Sequence, residues 1–573
     1  MLILGVFSGS HDASACLFDG YRMLAAVAQE RLTRIKADGG RWPSEAVDDV
    51  LAVAGAARRD VDAIALGRGM FPWRWFRHFH GGRWLEGRVR EAVGRPKPKS
   101  MERELVRLGH ADSAAIFDAD RFRAEEGFRP AARVAFYNHH LAHALPALFH
   151  TDWDHALLYT ADGGGDNVHT SRRVLADGRL ATLYGGDEAF AGPLPVASLG
   201  LAYGFATQAL GFRINRHEGK VTGLAALGRP ILHERMAARF SVGEDGHVAT
   251  DFADLRAMRA FMGGLAAQAS REDMAASVQA LLEETVLASV RRVLALTGAR
   301  RLGLAGGVFA NVRLNQRLAE ETPVDEVFVY PAMSDAGLPA GGVLQFLLER
   351  DGLERWLASR WPLEHLYLGR DFGAEADRVL ERTAGIARAS ADPAAAVPPL
   401  LAAGRIVGLF ARGMEYGPRA LGGRSILASP AEAAMTATLN RRLERSDFMP
   451  FAPVVAAEDA DAVFDLPAAL RQAARFMTAT CRVRPAWRTR LPAVVHVDGT
   501  ARPQVLAPGV NPVYAAILAG FKAATGLPAL VNTSFNVHEE PIVHRPEEAA
   551  RALLAGRIDA LATERALYVR SGA

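Results

Sequence analysis

The sequence contains only two cysteines in 573 residues. Cys16 and Cys481 lie far apart along the chain, which argues against a disulfide framework and against a thiolate-rich metal site. Any metal ligands are therefore expected to be histidine and carboxylate. No apolar run reaches the roughly 18 residues of a membrane-spanning helix, and residues 1–7 lack the basic region and longer apolar core of a signal peptide. A cytoplasmic protein without a membrane partner is expected.

An excess of charge of either sign is also missing. The chain has 67 Lys and Arg against 64 Asp and Glu, a formal net charge of +3. This is small for the length, so the charge gives no reason to expect a nucleic-acid partner. Half of the residues are apolar, which indicates a globular protein, and the length exceeds what one hydrophobic core usually supports. Two or three domains are expected.

Three histidines precede a strand-like apolar run in the middle of the first half. If residues 138–145 form a helix that ends before Pro146, His139 and His143 lie one turn apart on one face and can bind a single ion. His140 then points elsewhere, where it can serve as a hydrogen-bond donor to the site. An isolated histidine pair is as often an accident of a helix surface, so the pair alone does not establish a metal site.

A glycine loop follows the apolar run at residues 156–161. It contains Asp162, Gly163 and Gly164, and ends at Asp166. Backbone amides of such a loop can approach a phosphate closely, and Asp162 can hold its metal. A lone triple glycine is usually only a turn, but its position directly after the histidines favours a metal and phosphate site.

The chain begins with two apolar runs, residues 2–7 and 15–18, around a polar turn, which predicts a β-hairpin. A hairpin of this kind begins each half of the ATPases typified by actin, and its tip faces the nucleotide phosphates. The tip residues Ser8, His11, Asp12 and Ser14 are therefore site candidates. A hairpin tip is polar in any protein, so ordinary turn chemistry is an equal alternative.

Further glycine-rich segments follow along the same half. The segment 218–228 is interpreted as a polar, glycine-punctuated turn, in which Glu218 and Lys220 suit ribose and phosphate contacts. After the predicted strand 301–305, Gly306 and Gly307 permit close approach of a nucleotide. Asp335 follows another strand end, and taken alone it is interpreted as a helix N-cap.

Residues 68–107 are rich in aromatic and basic side chains, which is typical of an insertion. These side chains could stack on bases or bind an anionic ligand. A helical arm whose aromatic residues pack on the parent domain is the favoured alternative.

A change of composition near residue 363 predicts a domain boundary, with one domain over 1–362 and a second over 363–573. In the second domain, Arg419 and Arg424 flank a glycine-rich turn and Arg502 lies in a predicted strand of alternating polar residues. Asn532 and Ser534 end another strand. Guanidinium groups beside close backbone amides suit phosphate or carboxylate oxygens, so these residues outline an anion pocket.

Taken together and in this order, the motifs resemble those of the O-carbamoyltransferases of the NodU/CmcH type. The resemblance covers the whole chain and rests on the following segments: His139-His-Leu-Ala-His, Asp162-Gly-Gly-Gly, Glu218-Gly-Lys-x-x-Gly-Leu-Ala, Gly306-Gly-Val, Asp335-Ala-Gly, Glu415-x-Gly-Pro-Arg-Ala-Leu-Gly-x-Arg-Ser, His496-x-Asp-Gly-Thr-x-Arg and Asn532-Thr-Ser-Phe-Asn.

The resemblance implies an α/β protein with two domains. The N-terminal one would be similar to the tRNA threonylcarbamoyl transferases, with the actin-like ATPase fold, and the C-terminal one would be a YrdC-like α/β domain. The second would condense carbamoyl phosphate with ATP to carbamoyl adenylate. The first would pass the carbamoyl group to a hydroxyl of a small natural-product or sugar-like acceptor. A homodimer is left open.

The resemblance also assigns roles to residues. His139, His143 and Asp335 correspond to ligands of a divalent ion, with Asp162 beside the metal and the phosphates. Fe²⁺ is favoured, with Mn²⁺ and Zn²⁺ as alternatives, and Mg²⁺ accompanies ATP. The nucleotide contacts correspond to Asp162, Gly163, Gly164, Glu218, Lys220, Gly306, Gly307 and Asn311. The carbamoyl phosphate and adenylate contacts correspond to Arg419, Arg424, Arg502, Asn532 and Ser534. His11 is a candidate base for the transfer step, with Asp12 beside it.

One segment departs from the pattern of this family. Many relatives carry a lysine before Arg-Glu-x-Phe-Arg-Pro-Phe-Ala-Pro, whereas this chain has Met449 where a basic residue is expected. Arg441, Arg442 or Arg445 would have to substitute, or carbamoyl phosphate is held differently. Two other functions remain as alternatives: a nucleotide-binding regulatory or assembly protein, and a metal-dependent hydrolase or sugar kinase on the same fold.

Overall fold

A computed structural model describes residues 1–77, 89–90, 97–445 and 450–572. Part of the predicted insertion, residues 78–88 and 91–96, lies outside this range, and so does Met449. Within the described residues no helix is long and apolar enough to span a bilayer.

The chain begins with a five-stranded sheet of strand order β3-β2-β1-β4-β7. The first three strands are antiparallel, whereas β1, β4 and β7 run parallel. Strands β1 and β2 confirm the predicted hairpin. The strands up to β7 are β1 Leu2–Phe7, β2 Ser14–Asp19, β3 Arg22–Ala28, β4 Ala63–Leu66, β5 Met70–Phe71, β6 Lys99–Ser100 and β7 Arg133–Phe136.

A second sheet repeats this arrangement with the order β10-β9-β8-β13-β14. Again the first three strands, β8, β9 and β10, pair antiparallel, whereas β8, β13 and β14 run parallel. Two successive sheets of this order confirm the expected actin-like fold. The strands of this region are β8 Ala156–Gly165, β9 Val168–Ala176, β10 Arg179–Tyr184, β11 Phe240–Val242, β12 Val248–Thr250, β13 Arg301–Ala305 and β14 Glu326–Val329.

The glycine loop predicted at residues 162–166 is largely strand. Strand β8 continues through it to Gly165 and pairs with β9, with a register shift between Ala161 and Gly165. The chain turns only at Asp166 and Asn167, whose φ angles are 53° and 60°. The prediction of a loop was wrong because a run of glycines is found both in loops and in strands whose pairing is irregular.

Helices cover and connect these two sheets. Their bounds are Glu30–Thr33, Ser44–Val53, Met101–Leu108, Ser113–Ile116, Ala119–Glu126, His139–Phe149, Leu199–Ala209, Glu218–Ala225, His233–Ala237, Leu255–Ala266, Arg271–Thr297, Val312–Glu321, Leu338–Asp351 and Leu353–Ala358.

The helix His139–Phe149, called the histidine helix below, does not end at Pro146 as predicted. Proline cannot donate a hydrogen bond to the Ala142 carbonyl. That carbonyl faces Gly341 of the helix Leu338–Asp351, where a Cβ atom would lie only 1.7 Å from it. Because Gly341 has no side chain, the two helices pack closely, and this packing carries the histidine helix past the proline.

The predicted turn at residues 218–228 is a helix over Glu218–Ala225. Its glycines suggested a turn, but Glu218 accepts a hydrogen bond from the Asn215 amide at 2.7 Å and thereby closes the turn that precedes the helix.

The third large sheet is mixed, with eight strands in the order β15-β25-β24-β16-β17-β23-β18-β22. A three-stranded sheet of β19, β20 and β21 lies beside it in sequence. The strands are β15 Ile386–Ser390, β16 Val407–Phe410, β17 Arg424–Ala428, β18 Ala452–Ala456, β19 Phe464–Asp465, β20 Cys481–Val483, β21 Thr500–Ala501, β22 Gln504–Leu506, β23 Ala529–Ser534, β24 Ala560–Ala562 and β25 Leu567–Arg570.

The helices of this region are Ala374–Glu381, Pro393–Ala402, Ala434–Arg442, Ala460–Val463, Arg471–Arg475, Pro485–Arg488, Pro512–Thr525 and Pro546–Leu554. The strand of alternating polar residues predicted around Arg502 is instead a tight turn followed by two short strands. Asp498 forms this turn by accepting hydrogen bonds from the amide and hydroxyl of Thr500, at 3.0 and 2.6 Å.

The apolar cores do not separate cleanly at residue 363. Leu470 and Ala473 belong to the cluster that contains β8 and β13, and Tyr416 and Phe476 belong to the cluster around the histidine helix. The division into domains over 1–362 and 363–573 therefore stays a prediction.

The aromatic residues of the predicted insertion pack inward where the structure describes them. Phe71 and Trp75 are buried, and Trp75 contacts Trp42 and Phe122 edge to face, with ring centroids 5.6 and 4.9 Å away. This is the packing that the favoured alternative predicted, and it leaves neither side chain available to stack on a base.

Candidate metal centre and anion cavity

The histidine helix is fixed at its start by a side-chain cap. Asn138 accepts a hydrogen bond from the Leu141 amide at 2.8 Å, which satisfies one of the free amides of the first turn. His139 and His143 then follow one turn apart, with ring centroids 4.8 Å apart. Both side chains face the end of β8.

Two carboxylates complete a compact cluster with these histidines. The His143 Nε2 atom lies 2.9 Å from Asp162 Oδ2 and 3.5 Å from Asp335 Oδ1. The His139 Nε2 atom lies 3.8 Å from Asp162 Oδ2 and 3.6 Å from Asp335 Oδ1. Asp162 comes from the end of β8, and Asp335 from the segment after β14. The structure thus brings together the four residues that the sequence suggested as ligands.

The four residues fit a divalent metal ion. Ligand atoms at about 2.1 Å from one ion are separated by roughly 3.0 to 3.4 Å, and the four atoms here lie within 4.8 Å of one another. The buried atoms His139 Nε2 and Asp335 Oδ1 have no hydrogen-bond partner among the described residues. Buried polar atoms normally have partners, so an ion between them would satisfy both.

The carboxylates control the protonation of the neighbouring imidazoles. Burial alone would lower the pKa of His139, but the negative charges of Asp335 and Asp162 raise it to about 9. Burial would likewise lower the pKa of His11, whereas its hydrogen bond with Asp12 and the charge of Asp335 raise it to about 9. The hairpin tip therefore lies within electrostatic reach of the cluster.

The hydrogen bond within the tip is long. His11 Nδ1 and Asp12 Oδ2 are 3.3 Å apart. Asp12 has a φ of 54°, a conformation that few non-glycine residues adopt. The loop over residues 35–40 covers the tip, because the Ala13 amide donates to the Asp38 carbonyl at 2.9 Å.

The ring of His140 packs beside that of His139, with centroids 5.2 Å apart, but its nitrogen atoms point away from the cluster. Its Nδ1 lies 2.8 Å from the Thr160 hydroxyl, and its Nε2 donates to the Val168 carbonyl at 3.1 Å. Burial holds the pKa of His140 well below its ordinary value. It is a neutral core residue that ties the histidine helix to β8 and β9, and not a donor to the metal ligands.

A buried ion pair behind the cluster was missed in the sequence. Arg68 Nη1 donates to Asp166 Oδ2 at 2.6 Å, and the same oxygen accepts the His139 amide at 2.8 Å. Two further nitrogen–oxygen contacts of 2.8 Å join Arg68 to Asp187. The ion pair thus fixes the backbone of His139, the first histidine of the cluster. Only the polar run at Asp166 hinted at it.

Glycines permit the close packing at this site. A Cβ atom on Gly165 would lie 2.3 Å from the ring of His139. A Cβ atom on Gly306, whose φ is 99°, would lie 2.2 Å from the Ala161 carbonyl oxygen. The next amide, that of Gly307, donates to Asp162 Oδ2 at 3.3 Å. Gly163 is also held, since its amide donates to Asp162 Oδ1 at 2.5 Å.

Asn311 belongs to a buried amide network next to these glycines. Its Nδ2 atom donates to Gln279 Oε1 at 2.8 Å, and its Oδ1 accepts the Leu314 amide at 3.1 Å. Tyr203 donates to the same Gln279 oxygen at 2.9 Å. Asn311 therefore caps the helix Val312–Glu321 and has no side-chain contact with the metal cluster.

A cavity of about 340 Å³ lies between the N-terminal and C-terminal regions. Arg419, Arg502, Asn532 and Ser534 line it, as the sequence-based anion pocket requires, and Lys220 faces it from the helix Glu218–Ala225. The charged and imidazole residues of the wall that sequence reasoning missed include Lys36, Arg216, His217, His538 and Glu539. Their common feature is charge or an imidazole, but no short motif marks them.

The glycine-rich turn that presents Arg419 is organised by a buried carboxylate. Glu415 Oε1 accepts hydrogen bonds from the amides of Leu421, Gly423 and Arg424, at 2.8, 2.6 and 3.1 Å. With its amides gathered on one oxygen, the turn holds a fixed shape. Arg419 extends from it into the cavity.

Arg419 and Arg502 have no carboxylate partner among the described residues. Burial, together with the charge of Arg502, holds the pKa of Arg419 well below its ordinary value. Burial lowers the pKa of Arg502 to about 10. Two desolvated like charges destabilise each other, and an anion between them would relieve this.

The structure places Arg424 outside this cavity. The side chain is fully buried, lies 3.7 Å above the Phe410 ring, and donates to the carbonyls of Ala411, Arg412 and Gly423 at 2.9 to 3.1 Å. These contacts hold β17 beside β16, so Arg424 acts within the fold. The Glu218 carboxylate also has a structural contact, since it accepts the Asn215 amide at the start of its own helix.

Of the arginines considered as substitutes for the missing base, the structure brings Arg445 to the cavity. Its guanidinium donates to the Ser534 hydroxyl at 3.0 Å and to Asn536 Oδ1 at 2.7 Å. Arg442 instead pairs with Asp559 at 2.9 Å.

A second cavity of about 350 Å³ adjoins the first, and Thr222, Val312, Phe451 and Arg502 line both. It extends from the helix Glu218–Ala225 towards the turn at Asp498. The two cavities together have room for more than one small ligand.

Residues 2–344 match the family described as "Carbamoyltransferase N-terminus", and residues 399–570 match "Carbamoyltransferase C-terminus". Nodulation protein NolNO of Sinorhizobium fredii is 33% identical over 96% of this chain and 78% of its own length. Nodulation protein NolO of Bradyrhizobium diazoefficiens is 36% identical over 74% of this chain and 77% of its own. Among solved structures, a ROK hexokinase from Thermus thermophilus is 16% identical, with a TM-score of 0.33 over 61% of this chain and all of that protein.

Proposed function

The chain belongs to the carbamoyltransferase family, and we propose that it is an ATP-dependent O-carbamoyltransferase with two separate sites. The arginine-lined cavity forms carbamoyl adenylate from carbamoyl phosphate and ATP. The cluster of His139, His143, Asp162 and Asp335, with the hairpin tip beside it, transfers the carbamoyl group to a hydroxyl of a small metabolite.

One observation carries the proposal. Arg419 and Arg502 are desolvated like charges that face one cavity without a carboxylate partner among the described residues. Such an arrangement favours an anionic ligand, and the substrates of this reaction are multiply charged phosphates. A binding protein for one nucleotide would not need a second, metal-type cluster in the same chain.

In the cavity, water first cleaves the bond between phosphorus and the carbamate oxygen of carbamoyl phosphate, giving phosphate and carbamate. The carbamate oxygen then attacks the α-phosphorus of ATP, and pyrophosphate leaves. Arg419 and Arg502 stabilise the charge that develops on the phosphoryl oxygens. Ser534 and Asn532, at the end of β23, orient the carbamoyl group.

At the cluster, the acceptor hydroxyl oxygen attacks the carbamoyl carbon, and the bond from that carbon to the AMP oxygen breaks. His11 Nδ1 donates to Asp12, so Nε2 is the atom that receives the hydroxyl proton. A base in this position contributes about 10² to 10⁴ in rate. His139, His143, Asp162 and Asp335 would hold a divalent cation, which would supply Lewis-acid chemistry there and would offset the carboxylate charge that raises the pKa of His11.

The test is release of pyrophosphate that depends on carbamoyl phosphate. The wild-type protein should release pyrophosphate from ATP only with carbamoyl phosphate present, and mass spectrometry with a panel of hydroxylated metabolites should detect a product heavier by one carbamoyl group. A kinase would form ADP and a hydrolase would release phosphate without pyrophosphate, so either result would overturn the assignment.

His11→Ala separates the two sites. It should abolish carbamoyl transfer and leave pyrophosphate release nearly intact, because His11 lies at the transfer site. Loss of both activities in the folded variant, or of neither, would remove His11 from the role of base.

A further inference from the structure

Glu539 lies at the mouth of the arginine-lined cavity, in the segment that follows β23. Its φ is 63°, in the left-handed region. A residue with a Cβ atom rarely adopts this conformation, and glutamate has no local hydrogen bond that favours it. Glu539 is the third residue of a turn in which the Glu540 amide donates to the Val537 carbonyl at 3.1 Å, and contacts of its side chain add to this turn in holding the conformation.

Apart from the neighbouring His538, whose Nε2 atom lies 3.7 Å from the carboxylate, the partners named here come from the N-terminal half of the chain. The carboxylate lies 2.6 Å from His217 Nε2, 2.8 Å from Arg213 Nη1 and 3.4 Å from Arg216 Nη1. Arg216 in turn donates to the Lys36 carbonyl at 2.7 Å. The segment 213–217 leads directly into the helix Glu218–Ala225, which carries Lys220 and Thr222 on the cavity wall.

A metal ion is a poor explanation for this group. His217, His538 and Glu539 offer ligand atoms within 4.8 Å of one another. However, the Oε2 atom of Glu539 already accepts from both arginines. Two guanidinium ions beside the carboxylate neutralise it and would repel a cation. The arrangement is an ion-pair contact between two parts of the chain that face each other across the cavity mouth.

We propose that Glu539 is a positioning residue that fastens segment 213–217 across the mouth of the cavity and thereby retains carbamoyl adenylate until it reaches the transfer site. The proposal rests on the proposed function. The mixed anhydride is exposed to hydrolysis: water adds to the carbamoyl carbon, the bond to the AMP oxygen breaks, and AMP and carbamic acid form. A closed mouth suppresses this loss by excluding bulk water.

The experiment measures coupling, defined as carbamoylated product formed per AMP released. Glu539→Gln keeps the length of the side chain but removes its charge, whereas Glu539→Gly removes the side chain and relieves the left-handed backbone. Both should raise AMP release without acceptor about fivefold, since an exposed ion pair shifts an equilibrium by roughly 1.4- to 5-fold. Pyrophosphate release dependent on carbamoyl phosphate should persist in both.

Two further readouts separate positioning from a general loss of stability. In the wild type, raising NaCl from about 0.05 to 0.5 M should lower coupling, because screening weakens exposed ion pairs, and Glu539→Gln should be insensitive to this change. Amide hydrogen exchange over residues 213–220 should be faster in Glu539→Gln. Glu381→Gln is the matched control, since it breaks an exposed pair with Arg388, 3.4 Å apart, that does not line the cavity.

Each outcome is decisive. Unchanged coupling in both Glu539 variants would overturn the proposal, and so would faster exchange over 213–220 without a change in coupling, which would show a purely structural contact. Equal loss of coupling in Glu381→Gln would also overturn it. If the wild-type protein releases no pyrophosphate with carbamoyl phosphate, the proposed function fails instead, and this result is independent of the variants.

Discussion

Gly165→Ala should disable the metal cluster without touching any ligand. The added methyl group would lie 2.3 Å from the ring of His139, whereas ordinary contact begins near 3.4 Å. The imidazole must therefore move by about 1.1 Å, because the backbone of β8 behind it is fixed by pairing with β9. Ligands need placement within about 0.5 Å, so we expect metal affinity to fall by 10- to 100-fold.

The assay is a competition titration of the purified protein with a chromophoric chelator, checked by elemental analysis. Gly163→Ala is the matched control for metal binding, because it adds the same methyl group two residues earlier in the same strand, where the nearest atom would be 3.8 Å away. Carbamoyl transfer should fall with metal content in Gly165→Ala. Pyrophosphate release should stay near the wild-type rate, since the arginine-lined cavity is elsewhere.

Equal metal affinity in Gly165→Ala and the wild type would refute the reasoning, because it would mean that His139 either moves freely or is not a ligand. Equal weakening in both glycine variants would point to the strand itself and not to the ring contact.

Three other predictions concern the candidate ligand Asp335, the arginines Arg502 and Arg424, and the partly buried Asp49. Asp335→Asn should empty the metal site, since it removes the charge of one of two carboxylates, and full occupancy by elemental analysis would exclude Asp335 as a ligand. Arg502→Ala should abolish most pyrophosphate release, whereas folded Arg424→Met should keep it. Arg424→Met should instead lower the free energy of unfolding by roughly 2 to 4 kcal/mol, because buried carbonyls lose a charged donor. A full loss of pyrophosphate release in folded Arg424→Met would show that Arg424 belongs to the site. Burial raises the pKa of Asp49 to about 6, so the folded state binds the Asp49 proton more tightly than the unfolded state does. The protonated carboxyl therefore stabilises the fold below about pH 4, and this stabilisation is lost as the pH rises through 6. Asp49→Asn should accordingly raise the Tm at pH 7.5 and not at pH 4, and a Tm shift of equal size at both pH values would contradict this.

Local patterns predicted the parts of the site that depend on neighbouring residues. The hairpin of β1 and β2, the strand that ends at Ser534 and the spacing of His139 and His143 all follow from alternation or helical period, which short sequences carry. The long helix Arg271–Thr297 was predictable for the same reason.

Features that depend on distant partners could not be read in this way. Pro146 remains inside a helix because Gly341, almost two hundred residues later, lets another helix approach. Arg424 points into the core because β17 lies between β16 and β23, and a strand's inward face is set by its neighbours. Arg68 and Asp166 meet only once the first two sheets are packed.

The sharing of apolar clusters across residue 363 bears on how the molecule can unfold. Leu470 and Ala473 are packed into the interior that β8 and β13 build, and Tyr416 into the one around the histidine helix. Removal of either half would expose those surfaces to water at a large cost in free energy. The two halves should therefore melt as one cooperative unit, and a gene split at this point should give fragments that are recovered in folded form only when they are produced together.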